Sequence, residues 1–249
     1  MHEIAAFALP GCREPFSCFS HLLAAPLFAI LGVFLVRRAG PNLAHRFSLA
    51  LFACASVFLL SMSGIYHMLP PGPGREVLRQ LDTIGIFLLI AGTATPGYII
   101  LFKGAERWGP LALIWTAAAV GILLRAVFPN SLPHVLGTVY FLAMGWAGAG
   151  SATLVWRRYG TALIKPLFWG GVAYTLGAVL LELHWPVLIP GVLGPHELWH
   201  IAVLVGLGLH WRFAFQIAAR APGGSPERVS SAPHWPIVVE SSEAAYPGG

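Results

Sequence analysis

The hydrophobic positions of this chain form seven long runs, separated by short segments rich in Pro, Gly or Arg. The runs cover residues 19–36, 47–66, 83–102, 108–128, 135–156, 166–185 and 198–215. Each is close to the roughly 17 to 25 residues that a helix needs to cross a bilayer, and none alternates strictly as a barrel strand would. The pattern therefore predicts an all-α integral membrane protein with a seven-transmembrane helix bundle.

The composition agrees with a protein whose main solvent is lipid. Of the 249 residues, 57% are hydrophobic and only 10% are charged, against roughly 25% charged in a soluble domain. The N-terminus lacks the basic region, apolar run and cleavage site of a removable signal peptide, so we expect the first run to remain as a helix. Three scattered cysteines predict neither a disulfide framework nor a zinc knuckle.

The hydrophobic pattern divides the chain into three parts. Residues 1–16 form an N-terminal segment, and residues 17–220 form the membrane domain. Residues 221–249 are rich in Pro, Gly, Ser and Glu, a composition that predicts a disordered tail. Within the fifth run, the small residues Gly145, Gly148 and Gly150 are expected to let helices approach closely.

The positive charges predict the orientation of the bundle. Eleven of the 15 Lys and Arg residues lie on the side of the first, third and fifth loops and the C-terminus. The positive-inside rule then predicts a multi-pass protein of the plasma (inner) membrane, with its C-terminus in the cytoplasm and its N-terminus outside. Arginines placed in short loops suit membrane topology, so a nucleic-acid partner is not expected.

Candidate chemistry lies at the ends of three hydrophobic runs. His67 follows the second run, Asp82 precedes the third, and His196 and His200 stand at the start of the last. Because successive spans cross the membrane in opposite directions, the end of the second span and the starts of the third and seventh lie at one membrane face. Three neutral imidazoles predict a catalytic Zn²⁺ site with a fourth position for a water of pKa about 7. Asp82 is predicted to hydrogen-bond this water as base or orienter, and Ser63 to contact a ligand, the water or a substrate carbonyl.

The pentapeptide from His196 to His200 also matches the H-E-x-x-H helix of zinc peptidases, in which Glu197 would be the general base. Such peptidases take a third ligand from further along the chain. His210 is the one downstream candidate in the bundle, and we expect it near the opposite face. His67 is therefore the preferred third ligand, and Glu197 is expected to meet the interface or an arginine.

The remaining histidines are expected to be solvated residues of the membrane interface. This interpretation applies to His21, His45, His134 and His234. His184, near Glu182 at the end of the sixth run, lies on the same face as the candidate site and stays undecided.

Three motifs in this order resemble the hemolysin III family, which is related to the progestin and adipoQ receptors and more distantly to alkaline ceramidases. They are Ser63-x3-His67, the segment from Leu81-Asp82 to Thr95-Pro96, and His196-Glu197-Leu198-Trp199-His200. The opening Glu14-Pro15-Phe16-Ser17-x2-Ser20-His21 is similar to the start of bacterial members. The similarity covers about residues 13–216. Thr83 departs from the family, where histidine often follows the aspartate.

The resemblance implies a seven-helix bundle that holds zinc through His67, His196 and His200, with a water near Asp82 and Ser63 close by. It also implies hydrolysis of a lipid amide such as ceramide. The orientation from the charges is the reverse of that in the adiponectin-receptor branch and matches the ceramidase branch.

Four functions remain open at this point. The first is a zinc hydrolase for a lipid amide or ester that enters sideways from the bilayer. The second is a membrane receptor or channel-like protein with a structural zinc. The third is a cytolytic, pore-forming protein, although short loops argue against a secreted toxin. The fourth is the membrane peptidase, which the lack of a downstream ligand disfavours.

Overall fold

The computed structural model describes residues 8–128 and 133–220, and the named elements in these ranges are all α-helices. The helices are α1 Pro15–Arg38, α2 Leu43–Met68, α3 Pro73–Leu101, α4 Gly104–Val127, α5 His134–Trp146, α6 Ala149–Tyr159, α7 Thr161–Glu182 and α8 Pro195–Ala218. The tail predicted at 221–249, His234 and residues 1–7 of the predicted N-terminal segment lie outside the described residues.

Seven helical segments of the described chain are long and apolar enough to cross a membrane, which confirms the predicted seven-span bundle. The fifth span is made of two helices, because α5 ends at Trp146 and α6 begins at Ala149. The sequence pattern predicted one helix across this point. The break falls within a glycine-rich stretch, and glycine stabilises helix interiors poorly.

The three helices that carry the candidate site residues form the inner part of the bundle. About half of the apolar stretch is buried in α2 (56%), α3 (56%) and α8 (50%), against 11% to 28% in the other spans. The outer helices instead present large apolar side chains outward, such as Leu23 of α1, which is 72% exposed. Lipid is the natural partner for such a surface.

Helix α3 begins ten residues before the predicted run, at Pro73. Proline at the first helical position is favourable because it has no N–H to leave unpaired. The sequence prediction began too late because Arg75 and Arg79 interrupt the hydrophobic pattern. Asp82 therefore lies inside α3 rather than at its start, and Arg75 is a buried helical residue that is 8% exposed.

An aromatic cluster joins α1, α2 and α8 on the far side of the bundle from the candidate site. The Trp211 ring centroid lies 5.0 Å from that of Phe28 and 5.2 Å from that of Phe52. The indole Nε1–H of Trp211 donates to the Ser56 hydroxyl at 3.2 Å. These contacts fix the register of α8 against α2, and so they also fix the height of the histidines at the start of α8.

The prediction of close helix packing at the fifth-run glycines is wrong for two of them. A Cβ atom added at Gly145 or Gly150 would meet no atom within 4 Å. The close approach occurs instead between α7 and α8, where a Cβ at Gly177 would overlap the Cβ of Ala202. Glycine at this position lets the two backbones pack together.

Candidate metal centre

Three histidine rings converge between the C-terminal end of α2 and the first turns of α8. The His196 Nε2 atom lies 3.3 Å from His67 Nε2 and 3.2 Å from His200 Nε2. One ring nitrogen from each of the three lies within 4.8 Å of the others. His67 and His200 are buried, at 1% and 2% exposure, and His196 is half-buried. The structure thus brings together the three histidines that the spacing singled out.

The start of α8 sets the direction of two of these rings. Gly194 precedes the helix, Pro195 takes the first helical position, and His196 and His200 follow one turn apart on one face. The Glu197 carboxylate accepts a hydrogen bond from the backbone N–H of Gly194 at 2.9 Å, so it caps its own helix. Glu197 thus contacts its own helix start, with no arginine among its hydrogen-bond partners in the described residues, and its expected position at the interface stays a prediction. A carboxylate used as a cap is poorly placed as the base of a peptidase.

Asp82 and Ser63 lie beside the histidine cluster. The Asp82 carboxylate is close enough to the Ser63 hydroxyl and to His67 to interact with both electrostatically. Ser63 is buried at 2% exposure, one turn before His67 on the same face of α2. The structure therefore places both predicted polar residues next to the cluster.

Sequence reasoning missed the carboxylate that contacts His67. One oxygen of Glu14 pairs with His67 Nδ1, and the other accepts from the Arg75 guanidinium at 2.7 Å. Burial alone would raise the pKa of Glu14, but the hydrogen bonds and charges of His67 and Arg75 outweigh it and lower the pKa to about 2. This carboxylate is therefore ionised over the physiological range.

His21 was expected to be solvated, and that expectation is wrong. Its side chain is buried at 3% exposure, and its ring centroid lies 4.2 Å from that of His200. Glu14 and His21 are seven residues apart, which is two helical turns and places both on one side of the start of α1. This spacing was a signal for their shared position, but it did not indicate which residues they would face.

The other histidines of the described chain are not members of the cluster, although His134 is near enough to His196 to interact with it electrostatically. His134 is exposed and pairs with Glu182 at 2.7 Å, and His184 is exposed as well. His45 is buried at 3% exposure, so its predicted solvation is wrong. His210 packs in the C-terminal half of α8, where its Nε2 lies 3.2 Å from the Leu167 carbonyl oxygen.

The donor set and its spacing fit a zinc ion. Zn–N bonds of about 2.0 to 2.1 Å in tetrahedral geometry separate neighbouring ligand nitrogens by about 3.3 Å. The two Nε2 separations around His196, 3.3 and 3.2 Å, match this value. Among the described residues the group has three members. Three protein ligands are typical of catalytic zinc sites, whereas structural sites usually have four.

A largely apolar cavity approaches the cluster from the middle of the bundle. It has a volume of about 480 Å³, within the range of small-molecule sites. Its lining includes Leu59 and Ile86, each one turn deeper in the membrane than Ser63 and Asp82, and Trp199, the neighbour of His200. Its far end reaches Tyr98, whose hydroxyl donates to Ser151 at 2.9 Å. The cavity and the cluster are thus separated by about one helical turn or less along α2, α3 and α8.

Comparison with known proteins gives consistent matches along most of the chain. A family model described as "Haemolysin-III related" matches residues 12–211. The chain is 31% identical over 152 residues to a protein named Hemolysin-3 from Bacillus cereus, a match that covers 61% of this chain and 66% of that protein. It is 26% identical over 159 residues to the Hemolysin-3 homolog of Bacillus subtilis (strain 168), covering 64% and 71% of the two chains.

A more distant similarity reaches a eukaryotic protein. The chain is 24% identical over 219 residues to an uncharacterized protein of Schizosaccharomyces pombe (strain 972), which covers 80% of this chain and 50% of that protein. The chain thus spans just under two thirds of the Bacillus cereus protein and half of the yeast one.

Proposed function

The chain belongs to the haemolysin-III-related family, and from that premise we propose that this multi-pass membrane protein is a zinc-dependent hydrolase of a lipid amide or ester. The observation that carries the proposal is the convergence of His67, His196 and His200, with ring nitrogens 3.2 and 3.3 Å apart, at a buried site beside a carboxylate. When bound in such a site, zinc polarises a carbonyl and lowers the pKa of water to about 7.

The residues around the cluster have distinct proposed roles. His67, His196 and His200 hold the ion through their Nε2 atoms. Asp82 takes a proton from the attacking water and returns it to the leaving group. Ser63 orients the Asp82 carboxylate through its hydroxyl, since the two groups are close enough to interact.

The cavity supports a lipid as the substrate. Its lining is almost entirely apolar and runs from Trp199 beside the cluster toward Tyr98 near the other end of α3. An acyl chain in this space would be sheltered from water, while its polar end would lie near Asp82. In a chain embedded in the membrane, such a molecule enters sideways from the bilayer.

The distribution of charge supports an orientation with the cluster on the non-cytoplasmic side. Ten of the 14 Lys and Arg residues in the described ranges 8–128 and 133–220 lie toward the end of the bundle that carries the C-terminus of α8. The cluster lies at the opposite end, at the start of α8. By the positive-inside rule we place the C-terminus in the cytoplasm.

Metal analysis and a turnover assay on the purified protein test the proposal together. The parent protein is expected to contain one zinc per chain, and His196→Ala is expected to contain none. Asp82→Asn is expected to keep the zinc and to lose most of the hydrolysis of a fluorescent ceramide or ester. A parent protein without zinc, or equal zinc in His196→Ala, would refute the metal site.

A second function, a receptor or channel with a structural zinc, is favoured by one observation. The cluster joins α2 to α8, so an ion held there would also clamp the two helices together. Under this alternative Asp82→Asn would keep metal and assembly, and neither it nor the parent would hydrolyse lipid. The peptidase hypothesis is disfavoured because Glu197 caps its own helix.

The names of two relatives suggest the lysis of membranes as a further candidate function. The Bacillus proteins are named Hemolysin-3 and Hemolysin-3 homolog. Pore formation by this chain would release dye from liposomes that contain the purified protein, at a rate that depends on protein concentration. Retention of the dye would exclude it.

A further inference from the structure

The segment before α1 is fastened to the end of α2 that carries His67. The backbone N–H of Glu14 donates to the His67 carbonyl at 3.1 Å, and that of Arg13 donates to the Met68 carbonyl at 3.3 Å. Carbonyl groups in the last turn of a helix have no partner within the helix, so these bonds satisfy two of them. They also fix the position of the Glu14 side chain relative to the His67 ring.

Arg75 holds the Glu14 carboxylate from the opposite side. Its guanidinium donates to Glu14 at 2.7 Å, to the Leu69 carbonyl at 2.7 Å and to the Tyr66 carbonyl at 3.0 Å. Because Arg75 is 8% exposed and is anchored on the end of α2, it leaves the carboxylate little freedom. The second carboxylate oxygen is thereby directed at His67 Nδ1.

We propose that Glu14 is the positioning residue of the His67 metal ligand, an inference that rests on the metal site proposed above. As a carboxylate, Glu14 only accepts hydrogen bonds, so the shared proton belongs to His67 Nδ1 and the lone pair is on Nε2. Nε2 is the atom that faces the cluster. The contact therefore selects the tautomer that binds metal, fixes the ring plane and raises the basicity of the ligand nitrogen.

A tether alone does not account for this arrangement. The two backbone bonds and the pair with Arg75 already fasten the segment to α2, and they use only one carboxylate oxygen. In contrast, the Nδ1 atom of His200 makes no hydrogen bond to any described residue. A carboxylate partner is thus directed specifically at His67, the ligand that comes from a different helix from the other two.

Zinc affinity of the purified full-length protein tests the inference. The affinity is measured by competition with a chromogenic chelator for the parent, for Glu14→Gln and for the matched control Glu76→Gln. Glu76 is an exposed acid near the same end of the bundle that pairs with Arg79. Loss of a partner to a ligand histidine typically weakens metal binding 10- to 100-fold. We expect at least a tenfold rise in the dissociation constant for Glu14→Gln and less than a twofold change for Glu76→Gln.

Two further measurements separate positioning from tethering. The thermal midpoint of the metal-free protein should fall no further in Glu14→Gln than in Arg75→Gln, since both lose the same ion pair, and the visible spectrum of bound Co²⁺ should change in Glu14→Gln. Arg75→Gln removes one part of the tether and keeps the Glu14 carboxylate beside His67, so it should weaken zinc binding less than Glu14→Gln. Equal losses in the two variants, or a lower metal-free midpoint with unchanged affinity, would overturn the inference.

The failures of the two proposals are distinguishable. A parent protein that binds neither Zn²⁺ nor Co²⁺ refutes the metal site and the positioning role with it. A parent that binds zinc with an affinity that Glu14→Gln matches within twofold refutes the positioning role alone.

Discussion

Free zinc at one hundred times its dissociation constant should stabilise this protein by about 2.7 kcal/mol if one ion binds only the folded state. The structure explains why the folded state would be preferred. His67 and His196 are 129 residues apart in sequence, yet their Nε2 atoms lie 3.3 Å apart. An unfolded chain therefore lacks the complete site.

The size of the effect follows from mass action at a single site. Each tenfold rise in free zinc above the dissociation constant should add about 1.4 kcal/mol for a single site. For a chain of 150 to 250 residues, 2.7 kcal/mol corresponds to a rise of about 5 to 11 °C in the unfolding midpoint. His196 and His200 lie on one helix and would keep weak affinity in any unfolded state that retains α8, so these values are upper estimates.

Thermal unfolding in detergent at buffered free zinc concentrations measures the slope of the unfolding midpoint against the logarithm of free zinc. The 9 tryptophans, among them the buried Trp211, provide an intrinsic fluorescence signal. His200→Ala should remove the dependence of the unfolding midpoint on zinc. The matched control is His184→Asn, because His184 is exposed and its φ of 52° is tolerated by asparagine.

Two results would refute this reasoning. One is an unfolding midpoint of the parent that does not change with free zinc. The other is a slope in His200→Ala equal to that of the parent, which would place the ion elsewhere. A normal slope in His184→Asn is required for either comparison to be valid.

Three further predictions concern packing and the cavity. Gly177→Val should destabilise the fold by about 1 to 3 kcal/mol in denaturant titrations, because its Cβ would overlap Ala202. Trp211→Phe should cost about 0.5 to 1.5 kcal/mol in the same titrations through loss of the hydrogen bond to Ser56. Gly145→Leu should raise the KM for long-chain lipids more than for short-chain ones, because residue 145 lines the cavity.

Each of these predictions has a contrary outcome. A Gly177→Val protein as stable as the parent would show that α7 and α8 are not in close contact. If Ser56→Ala alone had no effect on stability, the Trp211 hydrogen bond would not contribute as described. The control for Gly145→Leu is Gly150→Leu, since that site has equal room but does not line the cavity. Equal KM changes in both variants would contradict acyl-chain binding there.

Hydrophobic pattern was enough to predict the seven spans, because the length of an apolar run is set by bilayer thickness. The same pattern did not predict the correct helix bounds where a helix continues through polar residues. The first turns of α3 were not predicted, because Arg75 and Arg79 interrupt the hydrophobic pattern there, although Pro73 is a typical first residue of a helix. The break between Trp146 and Ala149 was also missed, since apolar residues continue through it.

The site was predictable to the extent that helix geometry alone brings residues together. The four-residue spacing of His196 and His200 and the parity of the spans were sufficient to group them with His67. Glu14 and His21 could not be assigned, because their contacts depend on how α1 packs against α2 and α8. Burial is a tertiary property, and a lone histidine or glutamate in the sequence carries no signal of it.

The second span and the last span supply the three histidines of the cluster, and this has a consequence for biosynthesis. A nascent chain that has inserted six spans contains His67 but neither His196 nor His200. The three rings can meet only after the final helix leaves the translocon and docks beside α1 and α2. A chain truncated before Pro195 would therefore insert six spans and still lack the cluster, which makes the cluster a marker of complete assembly.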